Sequence, residues 1–238
     1  MFSNDSIKKV VKLMNATIAK YSEKSIDEIK MCISKGNRKI GRVMNVSLPP
    51  IVTCDNCSGC KNFCCDIKAC LQYPETVIDA RVRNYIIMKK DIDEYFRRID
   101  DAMNKRRTNK YFRWHVAGDI VSIDYFSRMV DNARQHPDFI IWTYTKNYSV
   151  VNEYVRQHGG TIDAAIPENF HIMFSEWDGM KMNNPYHLPE FSCKLKDGNK
   201  NHRPEYFETL YKCPGNCDIC KACGRGCIAG ETTYCDEH

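Results

Sequence analysis

The sequence predicts an α/β protein: N-terminal helices, then a partial parallel (β/α) barrel or an open parallel sheet, with cysteine-rich loops near both ends of it. Three observations carry this. Helix-like apolar spacing fills the first thirty-five residues. Strand-like and helix-like runs then alternate from about residue 111 to 176, the mark of right-handed βαβ units and a parallel sheet. Cysteines bunch at 54–70, just before that alternation, and at 213–235, after it.

The elements follow in order. Ile7, Val10, Val11, Met14 and Ile18 recur at helical spacing, and Ser25-x-x-Glu28 is a capping box opening a second helix. "IGRVMNVSL" reads as a strand that stops at Pro49-Pro50, where the first cysteine loop begins. From Pro74 to about Lys105 the pattern is two helices, with Pro74 in a first turn. "YFRWHVAG", "FIIWTYT" and "FHIMFSE" are strands. "SIDYFSRMVDNARQ" and "NYSVVNEYVRQH" are helices, the second closed by Gly159-Gly160. "TIDAAI" is a candidate fifth strand. The last sixty residues, with Gly, Asn, Pro and Cys throughout, read as loop. The expected organisation is helices over 1–35, an α/β core over 36–180 and a cysteine-rich extension over 181–238.

A 238-residue chain that is 43% hydrophobic has material for a real core, so its cysteines are not needed as small-scaffold staples. No apolar run approaches the ~18 residues of a membrane span. The charged N-terminus does not read as a signal peptide, so a cytoplasmic protein with no membrane partner is expected. The formal charge of +5 counts no thiolates. Two four-thiolate [4Fe–4S] clusters, each roughly −2, would leave about +1, so charge argues weakly for a nucleic-acid partner. "NKRRTNKYFRWH" mixes basic and aromatic residues as a nucleic-acid surface does, yet such a run more often leads into a buried strand.

The two clusters hold 12 of the 14 cysteines, and bunching of this kind suits metal sites better than disulfides in a reducing compartment. Cys54, Cys57, Cys60 and Cys64 are spaced C-x2-C-x2-C-x3-C, and Cys217, Cys220, Cys223 and Cys227 repeat that spacing. It is the bacterial ferredoxin ligand pattern and fits a [4Fe–4S] cube better than zinc, whose ribbons separate two C-x2-C knuckles by ~15–20 residues. Zinc stays open as the alternative metal. Cys213, Cys217 and Cys220 also read C-x3-C-x2-C, the spacing of radical S-adenosylmethionine (SAM) enzymes, but too little chain follows to build a barrel. The first loop has the right position for that chemistry, with Ile67 where the third cysteine should stand. Cys32 reads as a small core residue.

Ligands of parallel α/β proteins bind beyond the carboxyl ends of the strands. His115 and Asp119, Thr143, Thr145 and Lys146, and Ser175, Glu176 and Asp178 fall there. His115, Asp119, Lys146 and Glu176 are candidate catalytic residues; Asp119, Thr143 and Thr145 are candidate cofactor contacts. The plainer alternative makes Asp119 a cap near Ser122 and His115 a satisfied core residue. Tyr125, Phe126, Met129 and Val130 form the core face of their helix.

"KGNRKIGRVMNVSLPPIVTC", "CKNFCCDIKAC", "RVRN", "WHVAGD", "WTYTK" and the closing "CP…CDICKAC" together resemble the phage and prophage gene product 88 family. The resemblance implies a phage context and an architecture distantly like radical-SAM barrels, and no particular reaction. It places Cys54, Cys60 and Cys64 on the first cysteine cluster and Cys213, Cys217, Cys220 and Cys223 on the second. The chain departs from the family at Cys65, where an aromatic residue is usual, and in its extra Cys57, Cys70, Cys227 and Cys235. The expectation is an iron–sulfur protein with two [4Fe–4S] clusters, acting on a small molecule or on SAM. A fully ligated electron carrier or sensor with a redox partner is the first alternative. A zinc-stabilised accessory module contacting nucleic acid or a host protein is the second.

Overall fold

A computed structural model describes residues 2–55 and 59–237. Its helices are α1 Asn4–Ser22, α2 Cys65–Gln72, α3 Asp79–Lys90, α4 Ile92–Asn104, α5 Ile123–Gln135, α6 Tyr148–Gln157, α7 Ile162–Ala165, α8 Pro204–Glu208 and α9 Cys217–Cys223. The strands are β1 Met44–Val46, β2 Tyr111–Trp114, β3 Ile140–Thr145, β4 Phe170–Ser175, β5 Glu190–Lys194, β6 Tyr211–Lys212 and β7 Thr233–Asp236. They form one all-parallel sheet in the order β1-β2-β3-β4-β5-β7-β6. The first five follow in chain order, the progression of a barrel, but β1 and β6 end the sheet and leave it open.

The capping box at Ser25 and Glu28 is present but opens only a short turn, Ile26–Glu28, where a second helix was expected. Side chains from α3 and α4 take the carbonyls a longer helix would use. Arg98 donates to Ile26 and Ile29, Arg83 to Lys30, and Asn84 brackets Cys32 through both its N–H and its C=O. The two helices expected after Pro74 are α3 and α4, with the Asp91 carboxylate capping α4 at Glu94 N. "TIDAAI" holds the short helix α7 instead of a strand, because Thr161 caps it at Ala164 N.

Parallel strands are buried on both faces and read as nearly unbroken apolar runs. Here the two faces meet different partners. Phe112, Trp114, Ile141 and Phe174 pack against the helices, through Phe96, Tyr125, Met129 and Val155. On the opposite face, fully buried Trp142 and Met173 pack under Ile40, Val43, Cys220, Cys227 and Ile228. The last sixty residues are therefore more than loop. They contribute β5, β6 and β7, and a turn over Gly226–Ala229 seats on β3 and β4. Among the described residues no helix is long and apolar enough to cross a membrane.

Candidate functional site

A cavity of about 560 Å³ opens at the carboxyl ends of the strands. Its walls come from segments far apart in the chain. The first cysteine loop supplies Cys54, Cys60, Cys64 and Cys65; the C-terminal segment supplies Cys213, Cys217, Cys220, Cys227 and Cys235. Cys57 lies outside the described residues, and Cys223 is exposed and off the wall. Cys65 and Cys235, which the sequence marks only as departures from the family pattern, stand outside the expected ligand set because they carry no spacing signal. The polar wall includes Arg113, His115, Asp119, Thr145, Lys146 and Ser175.

The first loop is held by α2. Ile67 and Cys70 are fully buried, and Asp66 pairs with Arg81 at side-chain exposures of 10% and 12%. Cys64 precedes the first turn of α2, and burial pushes its thiol up to about 11. The second loop is anchored by the Cys217 amide donating to Lys39 O at 3.1 Å, by the Asn216 cap on α9, and by Gly224, whose φ of 64° ends that helix. Burial raises the thiols of Cys217 and Cys220, and pushes Cys227 up to about 11. Neighbouring thiols raise each of them further. Arg113 works the other way, lowering Cys217 and Cys227 while its guanidinium lies over the Tyr144 ring.

The run "HVAGD" performs two tasks. His115 has φ 51°, a left-handed conformation uncommon for a residue with a side chain, which turns the chain sharply out of β2. Gly118 has φ 84°, and a Cβ there would stand 2.7 Å from Thr53 Oγ1 and 2.8 Å from Leu48 Cβ. Only glycine lets the loop after β2 lie this close to the loop after β1. Asp119 is 7% exposed and accepts three hydrogen bonds: from Ile120 N and the Thr145 hydroxyl at Oδ1, and from Lys146 N at Oδ2. A carboxylate has about four lone-pair positions, so one remains for a ligand. Lys146 Nζ donates to Ser175 Oγ at 2.8 Å, bridging the ends of β3 and β4.

His115 is 3% exposed, and its Nε2 lies 2.9 Å from the Tyr125 hydroxyl. Tyr125 in turn lies 3.1 Å from the buried Tyr95 hydroxyl. Buried hydroxyl protons need acceptors. Donation from Tyr95 to Tyr125 and from Tyr125 to Nε2 places both. The reverse order strands the Tyr95 proton. The imidazole proton therefore sits on Nδ1, which is buried without a partner among the described residues, on a residue of the cavity wall. Burial, with Arg113 adding to it, lowers the imidazole to about 3, so the donor is neutral. Histidine-selective 15N spectra are expected to show one of the seven imidazoles held as Nδ1–H and neutral wherever the protein is folded, whereas an exposed one titrates near 6.5. Titration of His115 at that ordinary value would contradict the arrangement. Because the folded value lies below the unfolded one, stability is full above about pH 6.5 and falls by up to about 1.4 kcal/mol per pH unit below it.

Of the candidate catalytic and cofactor-contacting residues, two lie off the wall. Thr143 is fully buried within β3. Glu176 accepts from Ser192, Asn201 and His202, at 2.5–3.1 Å, and so ties residues 201–202 to the end of β4. Of the basic–aromatic run before the cavity, Phe112 and Trp114 are fully buried, and Arg113 and His115 reach the wall. The plainer reading of Asp119 as a helix cap fails, because Ser122 caps α5.

The donor set suits a thiolate-held metal in kind: among the described residues, nine soft sulfurs share one cavity with a guanidinium whose Nε is buried and finds no partner there, a counter-charge for an anionic group. Among the described residues, however, no three Cys, His, Asp or Glu side chains are gathered so as to hold one ion. No curated protein and no solved structure matches the chain. A family model described as Gene product 88 matches residues 15–226, from within α1 through the first cysteine loop and most of the second. By that match the chain belongs to the gene product 88 family.

Proposed function

We propose that this chain holds iron–sulfur clusters on the cysteines of the cavity and performs redox or radical chemistry on a small molecule bound beside them. One observation carries the reading: cysteines from two segments separated by a whole α/β region line one cavity at the strand ends, together with His115, Asp119 and Lys146. A carrier of electrons alone has no use for such a cavity, whose size falls in the ~300–1,000 Å³ range of small-molecule sites. Cys54, Cys60 and Cys64 would hold the reactive cluster, and Cys213, Cys217, Cys220 and Cys227 the other. Such a cluster, when bound, supplies single electrons to a molecule seated against it.

The remaining roles belong to the chain. His115 offers a fixed N–H to an acceptor, a sulfide or a carbonyl. Asp119 offers its fourth acceptor position to an N–H or O–H of the substrate. Arg113 offsets negative charge among the sulfurs. A molecule such as SAM, with its amine, carboxylate and ribose, has groups for each of these.

Anaerobically purified protein is expected to be brown, with iron and acid-labile sulfide in equal amounts. Replacing Cys60 and Cys64 together by Ser, or Cys217 and Cys220 together, is expected to remove roughly half of the iron each time, since each loop holds its own cluster. Colourless protein with stoichiometric zinc would overturn the reading. With iron present, 5′-deoxyadenosine formed from SAM under reducing conditions identifies the radical branch, and its absence leaves redox chemistry on another molecule.

A further inference from the structure

Cys193 and Cys235 stand opposite one another on β5 and β7, in a register flanked by Ser192 with Tyr234 and Lys194 with Asp236. Neighbouring strands lie about 4.8 Å apart and send in-register side chains to the same face. That spacing lies within the ~4.4–6.8 Å between Cα atoms that a disulfide requires. The two thiols perturb one another's acidity, and both are half-buried, within reach of a small solute. Cys235 is on the cavity wall. Neither residue is among the sulfurs assigned to clusters above, so the inference stands apart from that reading.

We propose that Cys193 and Cys235 form a reversible dithiol–disulfide site at the edge of the cavity, exchanging two electrons with a low-molecular-weight thiol–disulfide couple of the glutathione type. The pair is electrostatically unequal. The contact with Cys235 pulls Cys193 below the ordinary thiol value, while Cys235 is pushed well above it. The inequality favours Cys193 as the attacking sulfur and Cys235 as the one that resolves the mixed disulfide, the division of labour that thiol–disulfide exchange needs.

In the oxidising direction the Cys193 thiolate attacks one sulfur of glutathione disulfide, and a glutathione thiolate leaves. The Cys235 sulfur then attacks Cys193, breaking the mixed disulfide and expelling the second glutathione. The Cys235 proton goes to one leaving glutathione, and solvent protonates the other. Two electrons pass from the protein to the external disulfide. Excess reduced thiol runs the same steps backwards.

The test uses the full chain, as isolated, in glutathione buffers of increasing oxidation, followed by alkylation, digestion and mass spectrometry, with iron and sulfide measured in parallel. The expected result is a Cys193–Cys235 linked peptide as the first protein disulfide to form, reversed by dithiothreitol. Cys235→Ser should leave Cys193 as a glutathione adduct, and Cys193→Ser should lower glutathione uptake at Cys235 roughly ten-fold. Both cysteines alkylated singly in buffers that already link other cysteines would overturn the proposal, as would Cys235 pairing elsewhere. The wild-type mapping decides even where a variant fails to fold. Absence of iron bears on the cluster reading alone, and absence of the linked peptide bears on this one alone.

Discussion

Arg81→Met is expected to destabilise the protein by about 3–5 kcal/mol near neutral pH, the cost of leaving a buried charge without its partner. Arg81 pairs with Asp66 below the first cysteine loop and also donates to the Cys70 sulfur at 3.3 Å. Burial raises the Asp66 carboxyl to about 6 even with Arg81 beside it. That value lies above the ~3.9 of an unfolded Asp, so the group's contribution is full below about pH 4 and is lost as the pH rises through about 6. In the variant the carboxyl holds its proton more tightly still, so the deficit should shrink as the pH falls from 8 towards 5. Urea unfolding at both values measures this. Replacing the pair together, Asp66→Leu with Arg81→Met, should recover most of the loss, because a well-packed apolar pair escapes the desolvation cost. A single variant as stable as the parent would show that the pair does not hold the loop.

Asp119→Asn is expected to cost about 2–4 kcal/mol, because the amide cannot accept at both of its ends. With its nitrogen in place of Oδ2 it faces the Lys146 N–H, donor against donor. With its nitrogen in place of Oδ1 it faces the Ile120 N–H and leaves only the Thr145 hydroxyl free to turn round. In either case a buried backbone N–H loses its partner, and the loops after β2 and β3 lose their common anchor. Hydrogen exchange should quicken at Ile120 and Lys146 and stay unchanged at the buried strand residues Phe112 and Ile172. Unfolding that matches the parent, with both amides still protected, would mean that the carboxylate anchors nothing.

Several parts of this architecture were legible in the chain. "FIIWTYT" and "FHIMF" announce strands covered on both faces, since they have no polar side to turn to water. Ser25 and Glu28 form their capping box by chemistry local to one turn. Pro49-Pro50 ends β1 at the cysteine loop, and strand ends place His115, Asp119 and Lys146 together before any contact is known. The cysteine spacings likewise mark two loops of one chemical kind.

What the strand-end rule could not decide was which side of each loop a residue faces. Glu176 and Lys146 occupy similar positions after β4 and β3, yet one binds Ser192, Asn201 and His202 and the other lines the cavity. The short strands over 190–194, 211–212 and 233–236 were equally hidden. Each is too brief and too polar to show a period, and each exists because a neighbouring strand supplies its hydrogen bonds.

The sequence by itself determined the parallel α/β class, the strand ends as the place of the cavity and the kind of atoms that line it. These follow from apolar period, capping and spacing, which act over a few residues. Only the tertiary structure decided that the two cysteine segments share one cavity, that Tyr95 and Tyr125 set the proton of His115, and that Cys193 faces Cys235. Those pairings join residues from 10 to some 150 positions apart, and their partners are chosen by sheet register and by packing of the C-terminal segment on the second face. No local pattern encodes either.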